Sequence, residues 1–215
     1  MKPAARIVIA DDHELVRKGL AAVIAEAGAG TVVAEVGNGR QAVEQVCTHK
    51  PDIAILDLTM PELNGLEATR QILAAEPQTR VLILTAHESE QLIREVLGAG
   101  AQGYVLKSDA GRTLVGAIEA LLEGRTYFTS KVARMVLEGY LRSPTGAETL
   151  PTLSAREREI VQLLAEGRSN KEVARHLDIS VKTAETHRSN IMRKMQFDSL
   201  SELVRYAVRN KIIEV

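Results

Sequence analysis

The sequence predicts a doubly wound α/β domain with a five-stranded parallel sheet, followed by a small all-α domain of four helices. Short apolar runs alternate with amphipathic stretches through the first 124 residues, which is the pattern of repeated βαβ units. Runs such as IVIA, IAIL and VLIL are apolar on both faces, as strands covered by helices on each side must be. Beyond residue 152 the periodicity is helical.

This pattern divides the chain into an α/β domain (1–124), a helical segment with a linker (125–152) and an all-α domain (153–215). The apolar runs predict strands near residues 5–11, 31–36, 52–57, 80–85 and 103–107. The stretches between them predict helices at about 13–27, 39–49, 64–76, 88–98 and 110–123. In the middle region TSKVARMVLEGYLR has helical spacing, whereas SPTGAETLPT contains two prolines and a glycine and indicates a linker.

The all-α domain contains the pattern of a helix-turn-helix motif. Ser154 and Glu157 predict a capping box at the start of REREIVQLLAEG. We expect Asn170 to cap KEVARHLD, ISV to form a turn, KTAETHRSNIMRKM to form the third helix and Ser201 to open the fourth. Two short helices around a tight turn, the second rich in Lys, Arg, Thr and His, predict a DNA-binding motif over residues 170–189.

Charge is distributed unevenly between the two ends of the chain. The net charge is −1, but residues 151–215 contain 12 Lys and Arg against 9 Asp and Glu, and residues 1–150 contain 15 against 19. An acidic first part and a basic second part indicate modules with different partners. The basic module is the candidate for binding nucleic acid.

Composition argues against a membrane protein and a disulfide-bonded secreted protein. No apolar stretch approaches the ~18 residues of a membrane span, and the start of the chain lacks the zones of a signal peptide. Cys47 is the single cysteine, so an internal disulfide is impossible, and we expect it to be a small buried apolar residue. We therefore expect a cytoplasmic protein.

Four apolar runs of the α/β domain end in polar residues, and these are its candidate functional residues. Asp11 and Asp12 close ARIVIADD, Asp57 closes DIAILD, Thr85 closes RVLILT and Lys107 closes GYVLK. The ligand site of an open α/β sheet lies at the carboxyl ends of its strands. Each residue alone is usually a solvated loop residue. Their joint occurrence predicts one site for a divalent cation and a phosphoryl group.

The chemistry of these side chains supports that prediction. A carboxylate such as Asp57 can attack phosphorus and form an acyl phosphate. Asp11 and Asp12 offer the hard oxygen ligands that Mg²⁺ prefers. Lys107 can neutralise charge on the phosphoryl oxygens, and the Thr85 hydroxyl can bond one of them.

These motifs resemble the two-component response regulators of the NarL/FixJ type, which join a receiver domain to a LuxR-type helix-turn-helix domain. The receiver resemblance is carried by IVIADDHELVRKGL, DIAILDLTMPELNGLEATRQI, RVLILTAH and GYVLKSDA. The DNA-binding resemblance is carried by LSAREREIVQLLAEGRSNKEVARHLDISVKTAETHRSNIMRKM. The motifs span nearly the whole chain, and the resemblance implies a flavodoxin-like receiver fold.

The resemblance also implies roles for the receiver residues. Asp57 is the expected phosphoacceptor, supplied by a sensor histidine kinase. Asp11, Asp12, Asp57 and the backbone carbonyl of Thr59 are the expected Mg²⁺ ligands. Three residues are the expected switch: Thr85, Tyr104 and Lys107. For Tyr104 the alternative is a half-exposed strand aromatic without a switching role.

Other chemistries fit the acidic cluster less well. His13 follows Asp12, but no HExxH motif is present and the other histidines are scattered, so a zinc site is not expected. Phosphatases of the haloacid dehalogenase type need a second Asp two residues after the nucleophile, where this chain has Thr59. We therefore expect no enzyme activity beyond autocatalytic phosphoryl acceptance and autodephosphorylation.

Helical phase separates two faces of the third helix of the all-α domain. Ala184, His187, Ile191 and Met195 lie on the face expected to pack on the core. By analogy with the family, the residues expected to read bases are Glu185, Thr186 and Ser189. The residues expected to contact phosphates are Lys182, Thr183, Arg188 and Lys194.

The last helix carries an apolar stripe, and LuxR-type domains pair through this helix. The stripe consists of Leu200, Leu203, Val204, Ala207 and Val208. We expect a homodimer on activation that binds an inverted-repeat operator in double-stranded DNA. The alternative is that the stripe closes the core of the small domain.

Together these expectations describe a phosphorylation-dependent transcriptional regulator. Phosphorylation of Asp57 would alter dimerisation and DNA binding by the C-terminal domain. The alternative is a DNA-binding regulator whose receiver is never phosphorylated and acts only as a protein-interaction module.

Overall fold

The computed structural model describes residues 4–86, 88–129, 132–135 and 153–213. Within them the α/β domain contains a parallel sheet in the order β2-β1-β3-β4-β5-β6. Its strands are β1 Arg6–Ala10, β2 Thr31–Val36, β3 Ile53–Leu56, β4 Arg80–Thr85, β5 Gly103–Leu106 and β6 Tyr127–Phe128. The doubly wound α/β prediction is therefore confirmed, with the predicted five strands in place.

The described residues hold a sixth strand that was not predicted. β6 pairs in parallel with β5, so that Tyr127 lies opposite Gly103 and Phe128 opposite Tyr104. The sequence pattern instead predicts a helical segment and a linker over residues 125–152. A strand of two residues is too short for a periodic signal, and pairing with a sheet edge determines it instead.

Helices cover both faces of the sheet. They are α1 Glu14–Glu26, α2 Gly39–His49, α3 Gly65–Ala75, α4 Glu90–Gly98 and α5 Ala110–Leu122, with a short 3₁₀ helix at Lys107–Asp109. Two apolar cores result, one on each face, and β1, β3 and β4 contribute alternate residues to both. This two-sided burial explains why their sequences are apolar at every position.

The start of α3 fixes the distance between that helix and the end of β3. The Asn64 side chain accepts a hydrogen bond from the Glu67 amide and caps the helix. A Cβ atom at Gly65 would lie 2.0 Å from the carbonyl oxygen of Asp57. Only glycine therefore allows α3 to begin this close to the residue that follows β3.

The all-α domain contains four helices among its described residues. They are α6 Ala155–Ala165, α7 Asn170–His176, α8 Val181–Lys194 and α9 Leu200–Arg209. The predicted capping box of Ser154 and Glu157 is confirmed. The caps predicted for the second and fourth helices are wrong, because Ser169 caps α7 and Ser199 caps α9.

Three further predictions concern the middle region and the surface. Of the predicted helical segment 129–142, residues 132–135 are helical. Residues 130–131 and 136–152, including the predicted linker, lie outside the described residues.

Cys47 is exposed on α2, so its expected burial is wrong. None of the described helices is long and apolar enough to cross a membrane.

Candidate functional site

The polar residues that follow β1, β3 and β5 meet at one edge of the sheet. Ala10 of β1 lies opposite Leu56 of β3, and Thr85 of β4 lies opposite Leu106 of β5, so these strands end at the same level. The Lys107 ammonium group lies 2.8 Å from Asp11 Oδ2 and 2.9 Å from Asp57 Oδ2. The structure thus brings Asp11, Asp57 and Lys107 together, as the strand-end pattern predicts.

The acidic side chains at this edge form a candidate metal centre. One potential ligand atom from each of Asp11, Asp12, His13 and Asp57 lies within 4.8 Å of the others. Asp11 and Asp57 are buried, whereas Asp12 is exposed to solvent. The carboxylates of Asp11, Asp12 and Asp57 together carry more negative charge than the Lys107 ammonium group neutralises. Hard oxygen donors with such an excess suit Mg²⁺ and fit the expected cation.

Asp57 is a buried carboxylate with two defined hydrogen-bond partners. Its Oδ1 accepts a hydrogen bond from the Leu58 amide at 2.7 Å, and its Oδ2 accepts one from Lys107. Burial raises the pKa of the Asp57 carboxyl to about 6, although Lys107 acts in the opposite direction. Hydrogen bonds to Asp11 and Asp57 outweigh partial burial and raise the pKa of Lys107. Lys107 therefore carries its positive charge at neutral pH.

His13, which follows Asp12 in the chain, contacts the acidic cluster. Its backbone N–H donates to Asp11 Oδ1 at 2.9 Å, and its ring Nδ1 lies 2.7 Å from Asp12 Oδ1. It occupies the N-cap position of α1 without a side-chain cap, near the helix start as predicted. The imidazole is largely exposed. It can therefore orient Asp12 while remaining in contact with solvent.

Thr85 and Tyr104 lie in the sheet beside this cluster. Thr85 is the last residue of β4, and Tyr104 of β5 lies opposite Ile83 of β4. Both side chains are fully buried, so the half-exposed alternative for Tyr104 is wrong. Burial, followed by the charges of Asp57 and Glu88, raises the pKa of Tyr104. Its hydroxyl is therefore protonated at neutral pH.

Helix α8 presents a polar face to solvent. Ala184 and Ile191 are buried in the core of the all-α domain, while Met195 is partly buried against it, as the helical phase predicts. The residues of α8 that are exposed include Lys182, Thr183, Glu185, Thr186 and Ser189. Arg188 and His187 are partly buried. Glu185, Arg188 and Ser189 line one open groove, together with Asn170 from α7. A candidate nucleic-acid interface thus exists on this face.

Lys194, one of the expected phosphate contacts, already has an acidic partner. Its Nζ lies 2.6 Å from Glu157 Oε2 of α6. Although partial burial opposes the change, the hydrogen bonds from Lys194 and Ser154 lower the pKa of Glu157. A phosphate that binds Lys194 must therefore compete with this carboxylate.

The apolar stripe of α9 divides into a buried part and a surface part. Leu203 and Ala207 are completely buried in the domain core, so their prediction as dimer contacts is wrong. They lie one turn apart on the side of α9 that faces α6. Leu200 is 40% exposed, and Val204 and Val208 are partly exposed. These three residues remain available to a second copy of the chain.

A buried contact between the two domains, made by Gln162, was not predicted. Gln162 of α6 is completely buried. Its Nε2 donates to the Met60 carbonyl at 2.8 Å, and its Oε1 accepts from the Asn64 amide at 2.9 Å. A polar residue in an amphipathic helix normally indicates the solvent side. No sequence signal identified Gln162: it lies within a run of six consecutive buried residues in α6, and no sequence period separates such a run from an exposed face.

Two family models match separate parts of the chain. Residues 7–119 match the family model described as a response regulator receiver domain. Residues 151–207 match the one described as bacterial regulatory proteins of the luxR family. The chain is 38% identical over 216 residues to the oxygen regulatory protein NreC of Staphylococcus epidermidis. That alignment covers 97% of this chain and 99% of NreC.

Solved structures are similar as well. A LuxR-family two-component response regulator from Aurantimonas sp. SI85-9A1 is 37% identical, with a TM-score of 0.62, over 65% of this chain and 99% of that one. The response regulator RcsB in complex with DNA is 26% identical, with a TM-score of 0.60, over 94% of this chain and 97% of that one.

Proposed function

This chain belongs to the two-component response regulators of the NarL/FixJ type, and we propose that it regulates transcription in response to phosphorylation of Asp57. The first domain is a receiver and the second is a LuxR-type DNA-binding domain. A sensor histidine kinase is the proposed phosphodonor, and double-stranded DNA is the proposed target. We propose that the protein acts in the cytoplasm, where both are accessible.

Asp57 is the proposed nucleophile of phosphoryl transfer. A carboxylate oxygen of Asp57 attacks the phosphorus of the donor and forms an acyl phosphate, while the bond between phosphorus and the donor's leaving group breaks. The carboxylate must be ionised for this attack. Lys107 favours the ionised form through its charge and its hydrogen bond.

Asp11, Asp12, Asp57 and the Thr59 carbonyl are the proposed ligands of Mg²⁺. When bound, Mg²⁺ neutralises negative charge between the carboxylates and the incoming phosphoryl group. The Lys107 ammonium group, which already contacts Asp57, lies within reach of an oxygen of a phosphoryl group on that residue. Asp57 itself is the substrate, and we propose no enzyme activity beyond acceptance and loss of this group.

Thr85 and Tyr104 are the proposed relay from the phosphoryl group to the receiver surface. The added group carries about −1.5 to −2 charges and new acceptor oxygens. Movement of the Thr85 hydroxyl toward such an oxygen changes the space next to the buried ring of Tyr104. Repacking at β4 and β5 then reaches α4 and α5, which pack on these strands.

The second domain is proposed to bind DNA through α8 as a homodimer on an inverted repeat. Glu185, Thr186 and Ser189 are exposed on the polar face and can bond base edges. Lys182, Thr183 and Arg188 are the proposed phosphate contacts, with Lys194 after it leaves Glu157. The exposed part of the α9 stripe is the proposed dimer contact.

The observation that carries this proposal is the joint contact of Lys107 with Asp11 and Asp57. It is tested by labelling the full-length protein with acetyl phosphate and Mg²⁺. Asp57→Ala should abolish labelling. Asp52→Ala is the matched control, because Asp52 is exposed at the opposite end of β3, where it accepts a hydrogen bond from the Arg6 amide. Undiminished labelling of Asp57→Ala would refute Asp57 as the acceptor, whereas a wild-type protein that neither binds Mg²⁺ nor is labelled would favour the unphosphorylated interaction module.

A further inference from the structure

The contact between α6 and the receiver lies in the loop that follows the phosphoacceptor. Gln162 bonds this β3–α3 loop at two points, the Met60 carbonyl in its middle and the Asn64 backbone amide at its end. Its Oε1 also accepts from Asn64 Nδ2 at 3.1 Å. The DNA-binding domain is therefore attached to the same short segment that carries Asp57 at its start.

Polar and charged groups surround this contact, so the two domains can separate here. Gln71 donates to Glu159 Oε1 at 2.8 Å, and Arg158 Nε lies 3.1 Å from Glu67 Oε1. Glu67 and Glu159 are both buried. Buried ion pairs add little net stability, because the loss of hydration offsets their attraction. Polar contacts between domains resemble transient interfaces, so docking and release can be close in free energy.

The docked loop contains a strained residue that the DNA-binding domain helps to hold. Glu62 has φ of 66°, in the left-handed region that non-glycine residues rarely adopt. Its amide donates to Glu166 Oε1 at 3.0 Å, just after α6. The same carboxylate oxygen accepts from Gln162 Nε2 at 2.9 Å. Release of α6 would remove a partner of the strained peptide and allow the loop to relax.

The Gln162 contact and the proposed metal ligand lie on adjacent peptide groups. Gln162 bonds the Met60 carbonyl, and the Thr59 carbonyl precedes it by one peptide unit. Both peptides share the Met60 Cα, and Pro61 restricts the backbone of Met60 further. A hydrogen bond that holds one carbonyl toward α6 therefore limits how far the other can turn toward the acidic cluster.

We infer that Gln162 is a latch that couples the position of the DNA-binding domain to occupancy of the acidic site. With the latch closed, the β3–α3 loop resists the rearrangement that cation and phosphoryl binding require. Occupancy of the site moves the loop and releases α6. Because linkage is reciprocal, opening the latch raises the affinity of the site for its cation. This inference rests on the proposed function of that site.

The latch does not cover the proposed DNA-reading surface. Glu185, Thr186 and Ser189 are exposed while α6 is docked. Tyr206 of α9 lines a cavity of about 580 Å³ between the domains, together with Leu66 and Leu92 of the receiver and Lys194 at the end of α8. Docking therefore fixes the orientation of α9 and leaves the base-reading residues of α8 uncovered. The latch controls pairing of two copies and leaves the contact of one copy with DNA unchanged.

The test compares full-length wild type, Gln162→Ala and Gln78→Ala by Mg²⁺ calorimetry and small-angle X-ray scattering. Gln78 is exposed before β4, at the sheet edge opposite the acidic site, so it is a matched Gln→Ala control. Gln162→Ala should lower the Kd for Mg²⁺ about 5-fold or more and increase the radius of gyration. Its affinity for a duplex of random sequence should stay within about twofold of wild type, because the proposed phosphate contacts Lys182 and Thr183 are already exposed while α6 is docked.

Three outcomes would overturn the inference. If Gln162→Ala and wild type bind Mg²⁺ with equal affinity, Gln162 is not a latch, and the proposed function of the acidic site is unaffected. A clear gain in affinity for random DNA would indicate simple blocking of α8. If no protein binds Mg²⁺ and none is labelled by acetyl phosphate, the proposed function fails as well. Should Gln162→Ala not fold, Glu166→Ala tests the same latch, because it removes the acceptor of the Glu62 amide.

Discussion

The Lys107 ammonium group lies 2.9 Å from Asp57 Oδ2, although β4 separates the strands from which the two residues extend. The lysine side chain spans that strand at the open edge of the sheet. Both groups are largely withdrawn from solvent, so each reduces the cost of burying the other. This pair links the acidic site to the end of β5, and the first two predictions concern it directly.

Removal of the Lys107 charge should destabilise the protein in Mg²⁺-free buffer. Lys107→Met leaves Asp11 and Asp57 buried next to each other without their cation. We expect the free energy of unfolding to fall by about 3 kcal/mol, the usual cost of breaking a buried ion pair on one side. Urea denaturation followed by circular dichroism measures it. Mg²⁺ should restore part of the loss, and stability equal to wild type without Mg²⁺ would contradict the prediction.

Ionisation of Asp57 should make stability depend on pH. The folded pKa of about 6 lies above the ordinary value of 3.8, so between these pH values the native state binds more protons than the unfolded state. The contribution of Asp57 to the free energy of unfolding is therefore greatest below pH 3.8 and is lost as the pH rises to about 6. The loss should be at most about 3 kcal/mol.

The comparison of wild type with Asp57→Asn isolates this effect, because other titrating groups are common to both proteins. Urea midpoints are measured without Mg²⁺ at several pH values. The midpoint of Asp57→Asn should rise relative to that of wild type as the pH increases toward neutrality. Parallel pH profiles of the two proteins would show that Asp57 is not the titrating group.

Two substitutions on α8 should separate base reading from phosphate contact. Glu185→Ala should relax the preference at one position of a selected operator by about 1–3 kcal/mol. Lys182→Ala should weaken binding to all sequences alike and lower the salt dependence by about one unit of slope. Binding to selected and random duplexes at several salt concentrations distinguishes them. If both variants behave alike, the assignment of roles is wrong.

The α9 stripe should yield two different phenotypes. Val204→Asp, on the partly exposed side, should prevent dimerisation of the phosphorylated protein while the domain stays folded. Leu203→Ala, in the completely buried core, should lower stability by about 2–5 kcal/mol. Analytical ultracentrifugation and thermal unfolding measure the two effects. A dimer that tolerates Val204→Asp would place the interface elsewhere.

The acidic site could be predicted because parallel strands end together. Asp11, Asp57 and Lys107 each follow an uninterrupted apolar run, and winding in one direction brings such ends to one edge. The burial of Leu203 was harder to predict, because the buried and the exposed residues of the α9 stripe are equally apolar. Only packing against α6 decides which stripe is covered. Gln162 was missed for the same reason, since its burial depends on another domain.

Cap positions show a similar limit of local patterns. Ser169 and Asn170 are adjacent and both suit an N-cap. Glu172 decides between them, because it lies three residues after Ser169 and completes a capping box there. The same spacing relates Ser199 to Glu202 at the start of α9. The spacing rule identified Ser154 and, applied in the same way to Ser169 and Ser199, predicts the starts of α6, α7 and α9.

The close approach of Gly65 to the Asp57 carbonyl couples the position of the nucleophile to that of the first turn of α3. Any side chain at residue 65 must push either the helix or the Asp57 carbonyl aside, since even a methyl carbon would overlap that oxygen. The reactive carboxylate would then shift relative to Lys107 without any change to the acidic residues themselves. The absence of a Cβ atom at residue 65 therefore determines how accurately Asp57 is positioned. A substitution of Gly65 would impair phosphoryl acceptance in the same way as loss of a reactive side chain.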